Sequence, residues 1–389
     1  MWEFTDTEIL ETWSDPIIGK VKMDSTAGRP ENTAYVAFVG GGYTPTGNNN
    51  AGRGVFAIDV ATGAKIWEYK TKRTASYTPT CASPYLSTDS YPSDEKECMN
   101  FSIPSTPLAI DLNNDGFIDH VYVGDIAGQL WKFKTKDAAT LSGGTTGTIN
   151  NWSGRRLFAA RNSKTNPPDD GQWDPDQAIY YAHSAALDNS ANRKLWLYFG
   201  TGDRNHPNAD TSAHPNRFFG VKDASPDDTA NNHIPVIQDA LADVSSGNAT
   251  STAGWFFRLP GDDEKVLAQA EVFNSIVYFN TFTPTTLPAC DSGGGIAKQY
   301  AIQMLTGYGA IQSWDSEGKV TLYTSGDISN TRSREIGKGI PSKPMVIITD
   351  TGATISTSII QATTDQQLPN NPVPPPAFMR RILYWLERF

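Results

Sequence analysis

Residues 111–119 place oxygen-bearing side chains at the spacing of a calcium-binding loop. A glycine at the sixth position, Gly116, permits the sharp turn that brings such oxygens together. Tyr122 replaces the glutamate that closes an EF-hand at the twelfth position, so the ninth residue must complete the site. Carboxylate, amide and carbonyl oxygens are hard donors suited to Ca²⁺. The expected ligands are the side chains of Asp111, Asn113, Asp115 and Asp119 and the backbone carbonyl of Phe117.

Both flanks of this loop are short, apolar and rich in β-branched or aromatic residues. Residues 107–110 lead in and residues 120–125 lead out, which predicts two strands where an EF-hand has two helices. A metal-free turn rich in Asp, Asn and Gly is the alternative. Because the loop joins two strands, a bound metal would support shape or a conformational switch and not catalysis.

Other candidate sites have weaker support. The five histidines lack metal-site spacing such as His-Glu-x-x-His. The glycine runs at 40–42 and 293–295 do not precede helices, so they predict turns and not phosphate cradles. No Gly-x-Ser-x-Gly nucleophile elbow occurs. A second acidic patch could hold calcium, although a solvated loop is the better interpretation; it contains Asp169, Asp170, Asp174 and Asp176.

Composition limits the partners and the class of fold. The 389-residue chain has a net charge of −10 and no basic stripe, which argues against a nucleic-acid partner. Its 33 glycines and 25 prolines, with 15 tyrosines and 17 phenylalanines, are typical of many short strands joined by turns. No apolar run approaches the about 18 residues that a membrane span needs. Residues 1–6 do not have the pattern of a signal peptide.

Three cysteines bear on the cellular compartment. Cys81 and Cys98 bracket a polar segment, and a disulfide between them would stabilise the fold by roughly 3 kcal/mol. Two free thiols are the alternative. A disulfide and a carboxylate calcium site would both suit an extracellular location. Cys290 has no evident partner in the sequence, so it is either buried or paired outside this chain.

A degenerate repeat runs through the chain. A Ser-x-Pro step leading into apolar residues appears at Ser14, Ser105 and Ser342, and Ala-Ile followed by Thr-Gly occurs at residues 57–63 and 301–307. Each unit predicts about four antiparallel strands. Radial stacking of such sheets gives an all-β, β-propeller-like ring with about five visible units and long loop insertions. A β-sandwich with long loops is the alternative.

Unit boundaries follow from the repeat. The propeller is predicted over residues 1–365, with units at about 1–70, 99–137, 178–225, 254–316 and 338–365. Polar surface loops are predicted at 136–175, 223–251 and 365–377. Residues 366–377 are a Pro-rich linker, and residues 378–389 form either a last strand or a short helix. Three tryptophans near strand ends are predicted to pack between neighbouring sheets: Trp67, Trp131 and Trp314.

The order of these motifs resembles the C-terminal propeller of the PilC/PilY family, the tip-associated proteins of type IV pili. The resemblance covers most of residues 1–350. Its segments are 2–6, 13–16, 59–63, 111–119, 122–125, 128–133, 195–202, 219–223, 281–284 and 290–294. It implies one Ca²⁺ on the five ligands above, with calcium occupancy tied to pilus extension and retraction. It also implies a non-enzymatic protein at the pilus tip or cell surface, which supports biogenesis, twitching motility and adhesion with minor pilins as partners.

Two departures from the family pattern shape the expectations. Family members usually carry a large N-terminal von Willebrand-type region and an opening propeller blade, which this sequence lacks. We therefore expect a fragment, a processed product or one part of a split gene. Either another polypeptide supplies the missing sheet or the five units close alone. No Arg-Gly-Asp tripeptide occurs, so integrin binding has no support.

Two other functions remain open. Quinoprotein dehydrogenases have similar repeats, including an Ala-x-Asp-x-x-Thr-Gly-x-x-x-Trp pattern that occurs here from Ala57 to Trp67. Those enzymes typically hold pyrroloquinoline quinone over calcium at the propeller axis, often against a vicinal Cys-Cys pair that this chain lacks. A lectin-like adhesin would use the same fold with different loops.

Overall fold

The computed structural model is built almost entirely from short strands. It describes residues 2–23, 33–43, 51–71, 95–135, 152–160, 177–188, 194–207, 215–224, 235–247, 249–285, 295–314, 320–322, 331–349, 352–356, 358–360, 366–367 and 371–373. The helices in these ranges are single 3₁₀ turns at Glu95–Cys98 and Gln238–Ala240. In the part of the chain so described, no helix has the length and apolarity to span a membrane.

The first sheet is a four-stranded antiparallel meander in chain order. Its strands are β1 (Ile17–Lys22), β2 (Thr33–Gly40), β3 (Gly54–Asp59) and β4 (Lys65–Lys70). Every residue of β3 is buried, so both faces of this strand are covered. A strand apolar on both faces is expected where sheets stack face to face.

The second and third sheets have five strands each. The second contains β5 (Leu108–Ile110), β6 (His120–Gly124), β7 (Gln129–Lys134) and β8 (Ser153–Ala159). The third begins with β9 (Ser184–Leu187), β10 (Leu195–Gly200) and β11 (Arg217–Asp223). The chain then returns to the second sheet, where β12 (Val236–Ile237) pairs in parallel with β8. It completes the third sheet with β13 (Ala242–Asp243) and β14 (Gly254–Arg258).

The fourth sheet is centred on a long hairpin. It contains β15 (Lys265–Val266), β16 (Glu271–Phe273), β17 (Ile276–Pro284) and β18 (Gly295–Gln303). β19 (Ile311–Trp314) and β20 (Val320–Leu322) form a separate pair, and β21 (Ser333–Lys338) joins β18. Two three-stranded sheets follow, formed by β22 (Ile340–Pro341), β23 (Met345–Thr349), β24 (Gly352–Ser356), β25 (Ser358–Ile360), β26 (Gln366–Gln367) and β27 (Asn371–Val373).

Apolar side chains interlock between successive sheets. Trp67 of the first sheet contacts Phe133 and Trp152 of the region around the second sheet, with ring centroids 5.8 and 5.5 Å apart. Phe218 of the third sheet stacks on Phe279 of the fourth, with centroids 3.7 Å apart. This stacking of antiparallel sheets is that of propeller blades, and it confirms the predicted fold class. Trp67 therefore packs between sheets as predicted, whereas the side chain of Trp314 lies outside the described part.

Several strand assignments differ from the sequence prediction. β8 lies within residues 136–175, which were predicted as surface loop, because the first half of the strand is polar and includes two arginines. One of them, Arg156, is buried and donates a hydrogen bond to Gln129 Oε1 at 3.2 Å. β14 falls in the predicted fourth unit but pairs with β11 of the third sheet. β19 was expected as the fourth strand of its unit, a place that β21 takes, and β26 and β27 lie in the predicted linker.

The repeated Thr-Gly steps form tight turns after the third strand of their sheets. Gly63 and Gly307 have φ angles of +74° and +68°, where a side chain is unfavourable. At the first turn, Gly63 N donates to Asp59 O at 2.8 Å, and the Asp59 carboxylate accepts N–H groups of Ala61 and Thr62. The pattern shared with quinoproteins from Ala57 to Trp67 thus has a structural role in this chain.

Replacing Gly63 by alanine should lower the free energy of unfolding by about 1 kcal/mol or more. The substituted residue would keep a positive φ, and its Cβ would lie 2.6 Å from the Trp2 ring. Gly247→Ala is the matched control, because a Cβ there meets open space and its effect should stay within about 0.5 kcal/mol. Urea denaturation of both variants measures the difference, and equal midpoints would contradict this prediction.

Candidate metal centre

The loop at residues 111–119 connects β5 to β6, so strands flank it as predicted. It also rests on the first sheet. Ile118 N donates a hydrogen bond to Lys20 O of β1 at 2.8 Å. Gly19 lies so close that a Cβ there would collide with the Ile118 side chain. The loop therefore bridges two neighbouring sheets.

The backbone of the loop curls around its own side-chain oxygens. Asn114 and Gly116 both have positive φ angles, of 60° and 87°. The two carboxylate oxygens of Asp111 accept N–H groups, one from Asp115 at 3.1 Å and one from Gly116 at 2.7 Å. Asn113 Oδ1 accepts the same Asp115 N–H at 3.0 Å. This turn is the one that the glycine at the sixth position predicts.

The later loop residues continue this pattern. Asp115 Oδ1 accepts the Phe117 N–H at 3.0 Å, and Asp119 Oδ2 accepts the Leu112 N–H at 2.9 Å. Asp119 is buried, whereas Asp115 is exposed. Side-chain oxygens at the first, third, fifth and ninth positions therefore each accept at least one backbone N–H group of the same loop.

Negative charge accumulates in the loop. Burial raises the pKa of Asp111, the N–H groups of Gly116 and Asp115 oppose this rise, and the nearby Asp119 carboxylate adds to it. Two lysines of β1 approach from the neighbouring sheet. Lys22 Nζ lies 3.9 Å from Asp115 Oδ2, and Lys20 and Lys22 lie 5.0 and 4.8 Å from the centre of the Phe117 ring. A cation in the loop would offset the repulsion among its carboxylates.

The structure places the predicted ligands in one turn, but their side-chain oxygens do not surround a common centre. Within the described ranges, no three acidic, histidine or cysteine side chains form a group that could hold a metal ion. The carboxylates face backbone N–H groups instead. A carboxylate oxygen that accepts one N–H keeps a lone pair for a cation. The donor types and the turn fit Ca²⁺, and side-chain rotations would have to bring the oxygens together.

Other predicted candidates are structural or lie outside the described part. The acidic patch, Cys81 and Cys290 lie outside it. Cys98 is buried and disulfide-bonded, while its pairing with Cys81 stays a prediction. Burial lowers the pKa of His183 to about 3, which suits a neutral core histidine. His206 Nδ1 lies 2.8 Å from Asp203 Oδ2 in a partly exposed loop.

Two of the repeated serines fasten the segments that lead into the first and second sheets. Ser14 Oγ accepts the Gly40 N–H at 3.1 Å, and Ser105 Oγ donates to Gly124 O at 2.8 Å. Asp125 has a similar role, because its carboxylate accepts N–H groups that include Trp131 Nε1 at 3.0 Å. Burial raises the pKa of Asp125 to about 6. These motifs hold strand ends in place and have no assigned chemistry.

An aromatic cluster with an arginine forms that no sequence motif predicted. Trp13 stacks on Tyr43 with ring centroids 5.6 Å apart, and the Arg204 guanidinium lies 4.9 Å from the centre of the Trp13 ring. These three residues come from different connecting segments. No periodicity or motif links them in the sequence, so only the fold brings them together.

The sequence of this chain is similar to that of one curated protein. No protein-family model matches the chain. A curated relative, the "Type IV pilus biogenesis factor PilY1 homolog" of Xylella fastidiosa (strain Temecula1 / ATCC 700964), is 24% identical over 338 residues. The match covers 81% of this chain and 20% of that protein. The chain therefore spans about a fifth of the length of the curated relative that it matches.

Solved structures extend the comparison to the fold. The crystal structure of the Pseudomonas aeruginosa PilY1 C-terminal domain matches with a TM-score of 0.59 and 16% identity, covering 94% of this chain and 73% of that one. A europium-containing methanol dehydrogenase reaches a TM-score of 0.23 at 11% identity, covering 87% of this chain and 73% of that one. The second score is too low to support an inference. The first shows that this chain shares the β-propeller fold of that domain.

Proposed function

We propose that this chain, a relative of PilY1 by sequence and by the fold of its C-terminal domain, acts in type IV pilus biogenesis at the bacterial cell surface. The match to the PilY1 C-terminal domain, over 94% of this chain, carries the proposal. A place at the pilus tip, with minor pilins as partners and roles in adhesion and twitching motility, belongs to the same proposal. Its role would be non-enzymatic.

The loop at residues 111–119 would bind one Ca²⁺ within this function. The ligands would be the side chains of Asp111, Asn113, Asp115 and Asp119 and the carbonyl of Phe117. The ion would supply positive charge that draws these oxygens inward. Hard oxygen donors, the positive φ at Gly116 and the charge accumulated near Asp111 support this part of the proposal.

The loop contacts suggest how calcium would influence the rest of the domain. Ile118 is hydrogen-bonded to Lys20 and packs over Gly19 of β1. Ordering of the loop would therefore tighten the junction between the first and second sheets. A calcium-dependent change at this junction is our physical basis for regulation of pilus extension and retraction.

Genetic complementation tests the proposed function. Deleting the gene for this chain should reduce the number of surface pili and the twitching zone, and the wild-type gene should restore both. Normal piliation in the deletion strain would contradict a role in biogenesis. A complementing Asp115→Ala variant separates the two parts of the proposal, because normal pili with normal regulation in that strain would contradict only the role of calcium.

Lys22→Met should tighten calcium binding by about twofold to fivefold. The Lys22 ammonium lies 3.9 Å from Asp115 Oδ2 and repels a cation in the loop. The effect is moderate because both side chains are partly exposed to solvent. Lys70→Met removes a similarly exposed lysine that pairs with Glu8 and Glu68, and it serves as the matched control. Isothermal titration measures both, and weaker binding by Lys22→Met would refute the prediction.

A further inference from the structure

A cavity of about 560 Å³ lies where the segments that precede the first strands of successive sheets meet. Trp13 and Asp15 precede β1, Thr106 precedes β5, and Tyr180 and Tyr181 precede β9. Residues 267–269 precede β16, and residues 340–343 comprise β22 and the segment that leads to β23. Segments that lead into strands of several sheets thus surround one opening. Its volume is that of a ligand-binding cleft.

One side of the cavity is aromatic and holds an arginine. The Arg204 guanidinium lies 4.9 Å from the centre of the Trp13 ring and 5.3 Å from that of Tyr181. Tyr43 stacks on the Trp13 ring from the neighbouring segment, with 15° between the ring planes. Contact with two rings orients the guanidinium, so less side-chain entropy would be lost when it binds a ligand.

Two cations on this cavity are available to an anion. Within the described residues, neither Arg204 nor Lys343 has a carboxylate oxygen within 4.0 Å, whereas many other cations of the chain are ion-paired. Lys343 is exposed at the rim, and its charge partly offsets the rise that burial causes in the pKa of Glu271. Asp15 is also exposed at this rim.

We propose that this cavity binds a peptide segment of a partner protein that carries an Asp or Glu side chain beside an apolar one. The carboxylate would bind Arg204 and Lys343. The apolar side chain would contact the apolar residues that line the same cavity, Leu267, Ala268, Ile340 and Pro341. Recognition of acidic motifs by side-chain cations is an established mode of peptide binding.

The surroundings favour an internal acidic residue of a peptide over an anionic sugar or a chain-terminal carboxylate. An anionic sugar commonly stacks on an open ring face, and the Trp13 ring already contacts Tyr43 and Arg204. A chain-terminal carboxylate is commonly captured by adjacent backbone N–H groups. At this rim the Asp15 N–H instead donates to Thr106 Oγ1 at 3.0 Å. Side-chain cations next to an apolar wall match an internal acidic residue.

Selection from a random heptapeptide library displayed on phage tests this proposal with the full chain in calcium-containing buffer. Enriched peptides should carry Asp or Glu next to an apolar residue. A labelled synthetic copy should lose about tenfold in affinity for Arg204→Met and for Lys343→Gln. Arg258→Gln is the matched control, because Arg258 also lies over an aromatic ring but pairs with Asp243. It should bind the peptide as the wild type does.

Further measurements distinguish an internal acidic residue from the other kinds of ligand. Lys343→Gln changes an exposed side chain, so its folding should be unaffected, and melting temperatures verify this for every variant. Replacing the peptide's acid by its amide should abolish binding, whereas amidating its C-terminus should have no effect. Enrichment without acidic residues, absence of any enrichment, or equal binding by all variants would overturn the proposal. So would binding that depends on the terminal carboxylate, or binding of anionic glycans only. None of these outcomes bears on pilus biogenesis or on the calcium loop.

Discussion

Calcium should raise the melting temperature of the wild-type chain, and Asp115→Ala should abolish this rise. A ligand that binds only the folded state stabilises it by about 2.7 kcal/mol at a hundred times its dissociation constant. Asp115 occupies the fifth loop position and is exposed, so its loss should cost the metal-free fold little. The variant therefore separates metal binding from folding. Calorimetric scans in EDTA and in calcium measure both.

A matched acidic residue makes this test specific. Asp262 is exposed in the turn before β15, far from residues 111–119 in the sequence, and Asp262→Ala removes one negative charge without removing an expected ligand. It should keep the full calcium response. If Asp115→Ala gains as much stability from calcium as the wild type and the control, the loop is not the metal site.

Asp223→Leu should lower the free energy of unfolding by about 3–5 kcal/mol. Lys132 Nζ lies 2.7 Å from Asp223 Oδ2, and the two side chains are 0% and 2% exposed. The pair joins β7 of the second sheet to β11 of the third, and Tyr122 Oη donates to the same oxygen at 2.9 Å. Removing Asp223 alone leaves the buried Lys132 ammonium without its main counterion. Urea denaturation measures the loss.

The double variant Lys132→Met/Asp223→Leu should be compared with Asp223→Leu in the same experiment. Apolar side chains of similar volume need no counterion, so the double variant should recover most of the stability that Asp223→Leu loses. The Tyr122 hydroxyl loses its acceptor when Asp223 is replaced, and adding Tyr122→Phe removes that hydroxyl. A double variant less stable than Asp223→Leu would show that the pair does not act as a unit.

Acid should weaken this ion pair. Burial alone would raise the pKa of Asp223, but the Lys132 ammonium and the Tyr122 hydroxyl outweigh it and hold the pKa below its ordinary value. An unfolded aspartate titrates near 3.9. The stability from this group is therefore present above about pH 4 and is lost as pH falls through the lower folded pKa. The stability difference between wild type and double variant should shift against the wild type below pH 4, and a constant difference would contradict this.

The sequence supported the fold class and the strands around residues 111–119, because short runs of β-branched or aromatic residues and turn glycines act locally. β8 escaped prediction because Arg156 is buried through a hydrogen bond to Gln129, a pairing that no local pattern encodes. β14 was assigned to the wrong unit because sheet membership depends on distant partners. Similarly, the cavity beside Arg204 is assembled from connecting segments, whose composition resembles that of any surface turn.

The parallel pairing of β12 with β8 has a mechanical consequence. The segment between β11 and β14, both in the third sheet, reaches back to the edge of the second sheet, where Val236 lies opposite Phe158. Tension that separates the third sheet from the second must also break the pairing of β12 with β8. The second and third sheets should thus yield together under load as one force-bearing unit.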